Sequence, residues 1–121
     1  MNIFLIFVGG GLGAVCRFTL TRGIDQLTLL RGFPLGVLAT NLVGCFLIGL
    51  AFGHFVQRPN EQATALLVTG FLGGFTTFST FGKDTFLLLQ DGLTLQALMN
   101  VALSVTLGVI AVGLGFRVTN T

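Results

Sequence analysis

Four long apolar stretches, separated by short polar segments, dominate the chain. They cover residues 3–20, 35–55, 63–90 and 93–116. A transmembrane helix needs roughly 20 predominantly apolar residues to cross the hydrocarbon core of a bilayer. Each stretch is about long enough for that, and the third is longer than one straight span requires. The pattern therefore predicts an all-α membrane protein with four transmembrane helices, in a single domain over residues 1–121.

The polar segments between these stretches carry the signals that end and start helices. Residues 22–33 form the first link, residues 57–62 form the second, and Asp91-Gly92 is a turn signal. Pro34 suits the first turn of the second helix, where its missing N–H group is harmless. Asn60 is placed to cap the third helix. The links are short, so we expect the four helices to pack side by side.

Composition places the chain in a lipid bilayer and excludes several functions. Hydrophobic residues make up 53% of the chain and charged residues only 8%, with a mean hydropathy of +0.95. A soluble protein has about 25% charged residues. The formal net charge of +2 is too small and too scattered for a nucleic-acid partner. The chain also shows no nucleophile–base pair, phosphate-binding loop or cluster of His and Cys, so we expect no enzyme activity.

The middle of the third stretch, from Gly70 to Gly82, mixes glycines, hydroxyls and phenylalanines. Non-helical backbone at membrane depth persists only where protein buries it or a polar cavity hydrates it. We therefore expect the third helix to be broken near residues 73–80, at an ion site. Phenylalanine ring edges are electropositive and can contact an anion, while carbonyls freed by a break can coordinate a cation. The residues alone do not determine which ions bind.

Polar residues also lie inside the other predicted spans. Arg17 either snorkels to the interface or forms an electropositive mouth for an anion. Asn41 lies about 10 Å into the second span at ~1.5 Å per residue, so its amide needs a partner. That partner is either another helix or a permeating anion. Ser104 shares one helical face with Asn100 and Gly108, a face suited to packing or to lining a narrow pore.

Two further patterns concern packing. Gly9 and Gly13 form a small-xxx-small pair, which predicts close approach of the first helix to a neighbour. Lys83 and Asp84 lie deep in the third stretch. Charges at that depth are costly, so we expect this pair to face the bundle interior or a wet cavity.

The positive charges favour neither orientation in the membrane. Four spans place Arg58 and Arg117 on one side, and Arg22 and Arg31 on the other. Cytoplasmic loops normally carry an excess of Lys and Arg, so this balance predicts insertion in both orientations. An antiparallel two-fold dimer uses both orientations, and its interface offers room for a pore. We therefore predict a dual-topology antiparallel homodimer.

The central stretch resembles the signature of the Fluc (CrcB) fluoride channels, and the resemblance covers essentially the whole chain. The motifs that carry it are Gly70-Phe71-Leu72-Gly73-Gly74-Phe75-Thr76-Thr77-Phe78-Ser79-Thr80-Phe81, Gly13-Ala14-Val15-Cys16-Arg17-Phe18, Pro34-Leu35-Gly36 and Asn41-Leu42-Val43-Gly44. The resemblance implies an antiparallel dimer with two fluoride pathways and a central structural sodium ion.

By motif position, the resemblance also implies roles for individual residues. The fluoride pathway that it implies contains Asn41, Phe78, Phe81, Ser104 and Arg17. The sodium ion would be held by the backbone carbonyls of Gly73 and Thr76 from each subunit. The chain departs from the family pattern at Gly82, Asp84, Val37 and Asn100, which concerns the polar lining of the pore.

The resemblance implies a fluoride-selective channel that exports fluoride passively across the bacterial cytoplasmic (inner) membrane and so lowers fluoride toxicity. The alternative is a proton-coupled small multidrug transporter, which also has four spans and dual topology. That chemistry needs a membrane-embedded carboxylate, and Asp84 is the only deep acid. A third interpretation, a membrane assembly protein without transport, explains the packing glycines but not the phenylalanines and hydroxyls of the central stretch.

Overall fold

The computed structural model describes residues 2–27 and 33–120, and these are helical almost throughout. In chain order the elements are α1 (Ile3–Leu27), α2 (Leu35–Gln57), α3 (Glu61–Ala63), a π-helix (Thr64–Leu72), α4 (Gly73–Phe75), α5 (Phe78–Gln90) and α6 (Thr94–Thr119). Four segments are long and apolar enough to cross a membrane, namely α1, α2, α6 and the composite segment Glu61–Gln90. The chain is therefore built as a multi-pass membrane protein.

Helix α1 is longer than the hydrophobic pattern predicted. It continues past Leu20 to Leu27, so the prediction that a link begins at Arg22 was wrong. The carboxylate of Asp25 accepts a hydrogen bond from the Gly36 N–H at 2.9 Å. This bond holds the last turns of α1 against the start of α2 and satisfies a backbone donor that a helix start leaves without a partner. Residues 28–32, which include Arg31, lie outside the described residues.

The other helix starts and the turn follow the sequence signals closely. Pro34 precedes α2 as its N-cap residue, one position earlier than predicted, and its carbonyl accepts the Leu38 N–H at 3.1 Å. Asn60 caps α3 as predicted, because its Oδ1 accepts the Ala63 N–H at 2.9 Å. Gly92 has a φ of 80° in the predicted turn between α5 and α6, a conformation that glycine adopts without a steric penalty.

Glycines bring α1 into backbone contact with the first part of the third span. Gly9 and Gly13 are both buried. A Cβ atom at Gly9 would overlap the carbonyl oxygen of Leu66, and one at Gly13 would overlap that of Phe71. The small-xxx-small prediction is confirmed, since only a residue without a side chain permits this approach.

Helices α2 and α6 form the second close pair, again through glycines. Gly49 and Gly115 are buried, and a Cβ at either position would overlap the facing backbone. Near the ends of the two helices, the Thr119 hydroxyl donates to the Leu50 carbonyl at 2.8 Å. The ring centroids of Phe52 and Phe116 are 5.4 Å apart. These contacts fix α6 against α2 along much of its length.

The outer surface of the four helices is strongly apolar. Large side chains that are mostly exposed occur on α1, α2, α5 and α6, among them Ile3, Phe4, Phe7, Phe52, Phe86, Leu95 and Val109. An exposed apolar surface on this scale marks a protein that meets lipid or a partner subunit. The helical bundle is therefore suited to the bilayer that its composition requires.

Two residues in the middle of the third span, Thr76 and Thr77, are not helical, and we call them the interruption. Helix α4 ends at Phe75 and α5 begins at Phe78. Between them, Thr76 has φ −94° and ψ 153°, and Thr77 has φ −147° and ψ 119°, which are extended conformations. These two residues separate a first half packed on α1 from α5, which packs on α6.

Candidate functional site

The amide of Asn41 binds the backbone at the interruption of the third span. In a continuous α-helix, the Thr77 N–H would donate to the carbonyl of Gly73, four residues earlier. Here it donates to Asn41 Oδ1 at 3.0 Å, while Asn41 Nδ2 donates to the Thr77 carbonyl at 3.1 Å. Donor faces acceptor in both bonds, so this pairing also fixes which side of the amide carries the nitrogen. We call this arrangement the Asn41 clamp.

The side chain of Thr77 then starts α5. Its Oγ1 accepts the Thr80 N–H at 3.2 Å, a regular N-cap bond. In a continuous helix that N–H would donate to the Thr76 carbonyl. The hydroxyl of Thr76 itself donates to the Leu72 carbonyl at 3.0 Å. The carbonyls of Gly73 and Thr76 have therefore lost their usual helical donors to Asn41 and Thr77.

Arg17 supports the same interruption from α1. Its Nε donates to the carbonyl of Gly74 at 3.1 Å, and the residue is half-buried. Arg17 also borders a cavity of about 420 Å³. The other residues that line this cavity are Phe18, Thr21, Arg22, Asp25, Gln26, Val37, Thr77 and Thr80. The side chain thus holds the backbone and also gives this cavity a positive charge.

The interruption divides the phenylalanines of the central stretch into two pairs. Phe71 and Phe75 precede it and stack with ring centroids 5.7 Å apart, and Phe75 is only 4% exposed. Phe78 and Phe81 follow it, with centroids 5.6 Å apart and ring planes 48° apart. Phe78 is 83% exposed. Phe75 thus belongs to the core and Phe71 is half-buried beside it, whereas the second pair lines a cavity.

That cavity measures about 400 Å³ and lies between α2, the π-helix, α5 and α6. Six residues that the sequence singled out border it, namely Asn41, Gly73, Thr76, Phe78, Phe81 and Ser104. Its other lining residues are Gly44, Cys45, Ile48, Val68, Leu72, Thr77 and Val105. The structure therefore brings together every predicted site residue except Arg17, which borders the other cavity, the one of about 420 Å³.

This cavity is lined by uncharged groups, some of which are donors or electropositive edges and others acceptors. The Ser104 hydroxyl and the second N–H of the Asn41 amide are hydrogen-bond donors, and the edges of the Phe78 and Phe81 rings are electropositive. Backbone carbonyls at the interruption are acceptors. No carboxylate is among the described residues that line it. The cavity can thus contact an anion without a fixed full charge.

The charged pair of α5 was predicted to face the bundle interior or a wet cavity. The Lys83 side chain is 64% exposed, so it does not face the interior of the bundle, and the wet cavity stays a prediction. Lys83 Nζ lies 3.6 Å from Asp84 Oδ1, and the Asp84 side chain is the more buried partner. The long apolar stem of lysine lets the ammonium reach outward while the helix stays packed.

Two residues that matter for the site were not singled out by their chemistry. Thr77 provides both the backbone that Asn41 binds and the cap of α5. Thr85 accepts a hydrogen bond from the amide of Asn100 at 3.0 Å. A threonine directly before a Phe-Ser-Thr run is a readable cap signal, whereas the partner of Thr85 lies on another helix and has no local signal.

Among the described residues, no group of three or more His, Cys, Asp or Glu side chains is placed to hold a metal ion. A cation at this site would depend on backbone oxygens. Those oxygens are present at the interruption, as described for Gly73 and Thr76.

The chain is similar to a known protein family over most of its length. A family model described as CrcB-like protein, Camphor Resistance (CrcB) matches residues 4–116. The chain belongs to the CrcB family. The match reaches into all four spans and includes every residue that lines the two cavities described above.

Individual members of the family are similar over nearly their whole length. The chain is 43% identical over 120 residues to a protein of Magnetococcus marinus, covering 98% of this chain and 97% of the relative. It is 42% identical over 120 residues to a protein of Francisella philomiragia, covering 94% and 91%. It is 42% identical over 105 residues to a protein of Nitratiruptor, covering 87% and 81%. Each of these relatives is named a fluoride-specific ion channel, which is a transport protein and not an enzyme.

Proposed function

We propose that this protein is a fluoride-selective channel that lets fluoride leave the cell passively across the bacterial cytoplasmic membrane. The observation that carries this is the cavity between α2, α5 and α6, where Asn41, Phe78, Phe81 and Ser104 meet. Its relatives across the full length of the chain are named for the same ion. Passive export of this kind lowers the toxicity of fluoride inside the cell.

The neutral lining explains how an anion is bound and still released. Conduction requires binding that replaces part of the hydration shell but does not trap the ion. A full positive charge in the cavity would bind fluoride too tightly, whereas a hydroxyl, an amide N–H and ring edges each contribute a weak contact. Arg17 lies outside this cavity. In our proposal it attracts the anion toward the pathway and braces the interruption.

The two extended residues Thr76 and Thr77 are, in this proposal, a functional break of the third span that serves a structural sodium ion. The carbonyls of Gly73 and Thr76 fit the ion because their helical N–H partners donate elsewhere. Hard cations prefer such oxygens, and unwound backbone is a known source of them in membrane proteins. When bound, sodium would supply a positive charge that neutralises carbonyl dipoles converging from two subunits.

The partner subunit is proposed to be a second, inverted copy of the chain. Gly73 is exposed and Phe78 is 83% exposed, and both residues line the central cavity, so a single chain leaves them uncovered there. A two-fold interface there would cover them and bring four carbonyls together. The balance of Arg58 and Arg117 against Arg22 and Arg31 is consistent with an antiparallel arrangement.

The alternative of a proton-coupled multidrug transporter loses its support. The chain belongs to a family whose members are named fluoride channels. The described lining of the central cavity also carries no carboxylate to exchange protons.

Growth of a bacterium that lacks its own fluoride exporter tests the proposal. Cells that make this protein are expected to tolerate several-fold more fluoride than cells with an empty vector, because passive efflux lowers the internal concentration. Tolerance to cationic drugs is expected to be unchanged. If membranes that contain the protein give no gain in fluoride tolerance, the proposed function is contradicted.

A further inference from the structure

A second asparagine, Asn100, is connected to the backbone of Phe81 through the hydroxyl of Thr85. Asn100 on α6 is 2% exposed, and its Nδ2 donates to Thr85 Oγ1 at 3.0 Å. Thr85 Oγ1 donates in turn to the carbonyl of Phe81 at 2.8 Å. The Thr85 hydroxyl thus accepts one bond and donates another, so the two bonds polarise each other. Neither Thr85 nor Asn100 lines the central cavity.

This chain of bonds complements the Asn41 clamp. Asn41 on α2 binds the backbone at Thr77, just before Phe78. Asn100 on α6 reaches the backbone of Phe81 through Thr85. The segment that carries the two phenylalanines of the cavity is therefore attached at its two ends to two different helices, each time through a carboxamide.

Such an attachment is needed because the interruption separates α5 from the helix before it. Two extended residues transmit no rotational register from α4 to α5. Helix α5 has 13 residues, and helices of that length depend on tertiary contacts for their stability. The Asn100–Thr85 bond is an interhelical polar contact that fixes how α5 is rotated against α6.

The rotation of α5 decides what Phe81 presents to the cavity. The ring edge is electropositive and the ring face is electronegative, so a rotated ring would replace an attractive contact with a repulsive one. A Thr hydroxyl that bonds only to the carbonyl four residues earlier is common within a single helix. The donor from α6 is what converts this local bond into a link between helices.

We propose that Thr85 and Asn100 are positioning residues for ion conduction, which set the orientation of Phe81 by fixing the rotation of α5. This inference rests on the proposed fluoride-channel function.

Three substitutions distinguish the loss of the Asn100–Thr85 hydrogen bond from a change in the packing around it. Thr85→Val removes the hydroxyl with almost no change of shape, and Asn100→Leu removes the amide at similar volume. Thr85→Ser keeps the hydroxyl. Thr19→Val is the matched control, because Thr19 Oγ1 donates to the Val15 carbonyl at 2.9 Å within α1 and is exposed on that helix.

Fluoride efflux from liposomes that contain equal amounts of each full-length protein is the first measurement. We expect Thr85→Val and Asn100→Leu each to lower the rate about three- to twentyfold, the range that corresponds to interhelical hydrogen bonds in membranes. The double variant should be no slower than the slower single one, because both changes break the same link. Thr85→Ser and Thr19→Val should stay within about twofold of the unmodified protein.

The ¹⁹F spectrum of 4-fluorophenylalanine at position 81 is the second measurement, and it does not require conduction. The unmodified protein and Thr19→Val are expected to give one narrow resonance, and Thr85→Val and Asn100→Leu a shifted or additional one. Shifted spectra in a protein that releases no fluoride would contradict the proposed function and support the positioning role. Spectra and efflux rates of Thr85→Val that match the unmodified protein would overturn the inference.

Discussion

Asn41 and Thr77 meet through complementary polar groups, and this contact explains why a carboxamide stands in the middle of an apolar helix. Oδ1 accepts from the Thr77 N–H and Nδ2 donates to the Thr77 carbonyl. A buried backbone group without a partner costs about 1–3 kcal/mol. The clamp removes that cost for the Thr77 N–H. It uses only one of the two amide hydrogens of Asn41, and Asn41 also lines the central cavity. The two alternatives predicted for Asn41, an interhelical bond and an anion donor, are therefore compatible.

Asn41→Asp tests the clamp with almost no change in shape. The new carboxylate still accepts from the Thr77 N–H, but its second oxygen faces the Thr77 carbonyl, and two acceptors repel. The charge also disfavours an anion in the cavity. We expect fluoride efflux from liposomes to fall at least about fivefold, since the unpaired acceptor alone costs ~1–3 kcal/mol and about 1.4 kcal/mol corresponds to a tenfold change in rate.

The matched control is Asn120→Asp at the exposed end of α6. Gln57 Nε2 donates to Asn120 Oδ1, and aspartate keeps that acceptor. Efflux should stay unchanged in this control. Equal efflux from Asn41→Asp and Asn120→Asp would remove the clamp from the account.

At the scale of elements, the third span combines a tightly packed first half with a helix that begins anew. The first half lies against α1, where Gly74 also meets the Gly10 carbonyl so closely that a Cβ would overlap it. This packing holds the interruption in place from one side. Helix α5 takes its position from Asn41 and from α6. The interruption is thus fixed by three neighbouring helices together with the hydroxyls of its own residues Thr76 and Thr77.

Gly13→Ala is expected to loosen this packing. A Cβ there overlaps the Phe71 carbonyl, and overpacking of this kind costs about 1–3 kcal/mol. The melting temperature of the purified protein should fall. Gly11→Ala is the control on the same helix, because a Cβ at Gly11 meets nothing within 4 Å. Equal melting temperatures for the two variants would contradict the packing seen here.

The elements differ in how far their sequence predicts them. The glycine packing of Gly9 and Gly13 and the Asn60 cap depend on local patterns, and both predictions were correct. The extension of α1 to Leu27 depends on Asp25 meeting Gly36 in another helix, which periodicity cannot reveal. The exposed position of Lys83 likewise depends on how α5 is rotated.

The candidate site shows the same division between local and tertiary information. The spacing of Phe71, Phe75, Phe78 and Phe81 suggests one continuous face only if the backbone is continuous. Extended residues at 76–77 separate the stacked pair Phe71 and Phe75, of which Phe75 is buried in the core, from the last two rings at the cavity. The link between Thr85 and Asn100 joins residues on two helices, so no local pattern contains it.

At the scale of the whole molecule, the chain by itself leaves two residues of the proposed ion sites exposed. Phe78 and Gly73 are both exposed, although the surrounding cavity is well formed. An inverted second copy would cover them and would provide the matching carbonyls for a sodium ion. The same partner would cover part of the apolar surface that remains outside the bundle.

Sodium should therefore stabilise the purified protein. An ion that binds only the folded assembly adds stability that grows with its concentration, about 2.7 kcal/mol at 100 times its dissociation constant. We expect the melting temperature to rise when a bulky organic cation is replaced by sodium at constant ionic strength. Melting temperatures that do not depend on the cation would contradict the proposed sodium site, without bearing on the fluoride pathway.

The central claim is that the interrupted third span and its neighbours form a neutral pathway selective for fluoride. Its most direct test is the efflux of fluoride and of chloride from liposomes that contain the purified protein, measured with ion-selective electrodes after a potassium ionophore is added. The account predicts rapid and extensive fluoride release with chloride release close to that of protein-free liposomes. Equal release of both anions, or release of neither, would contradict it.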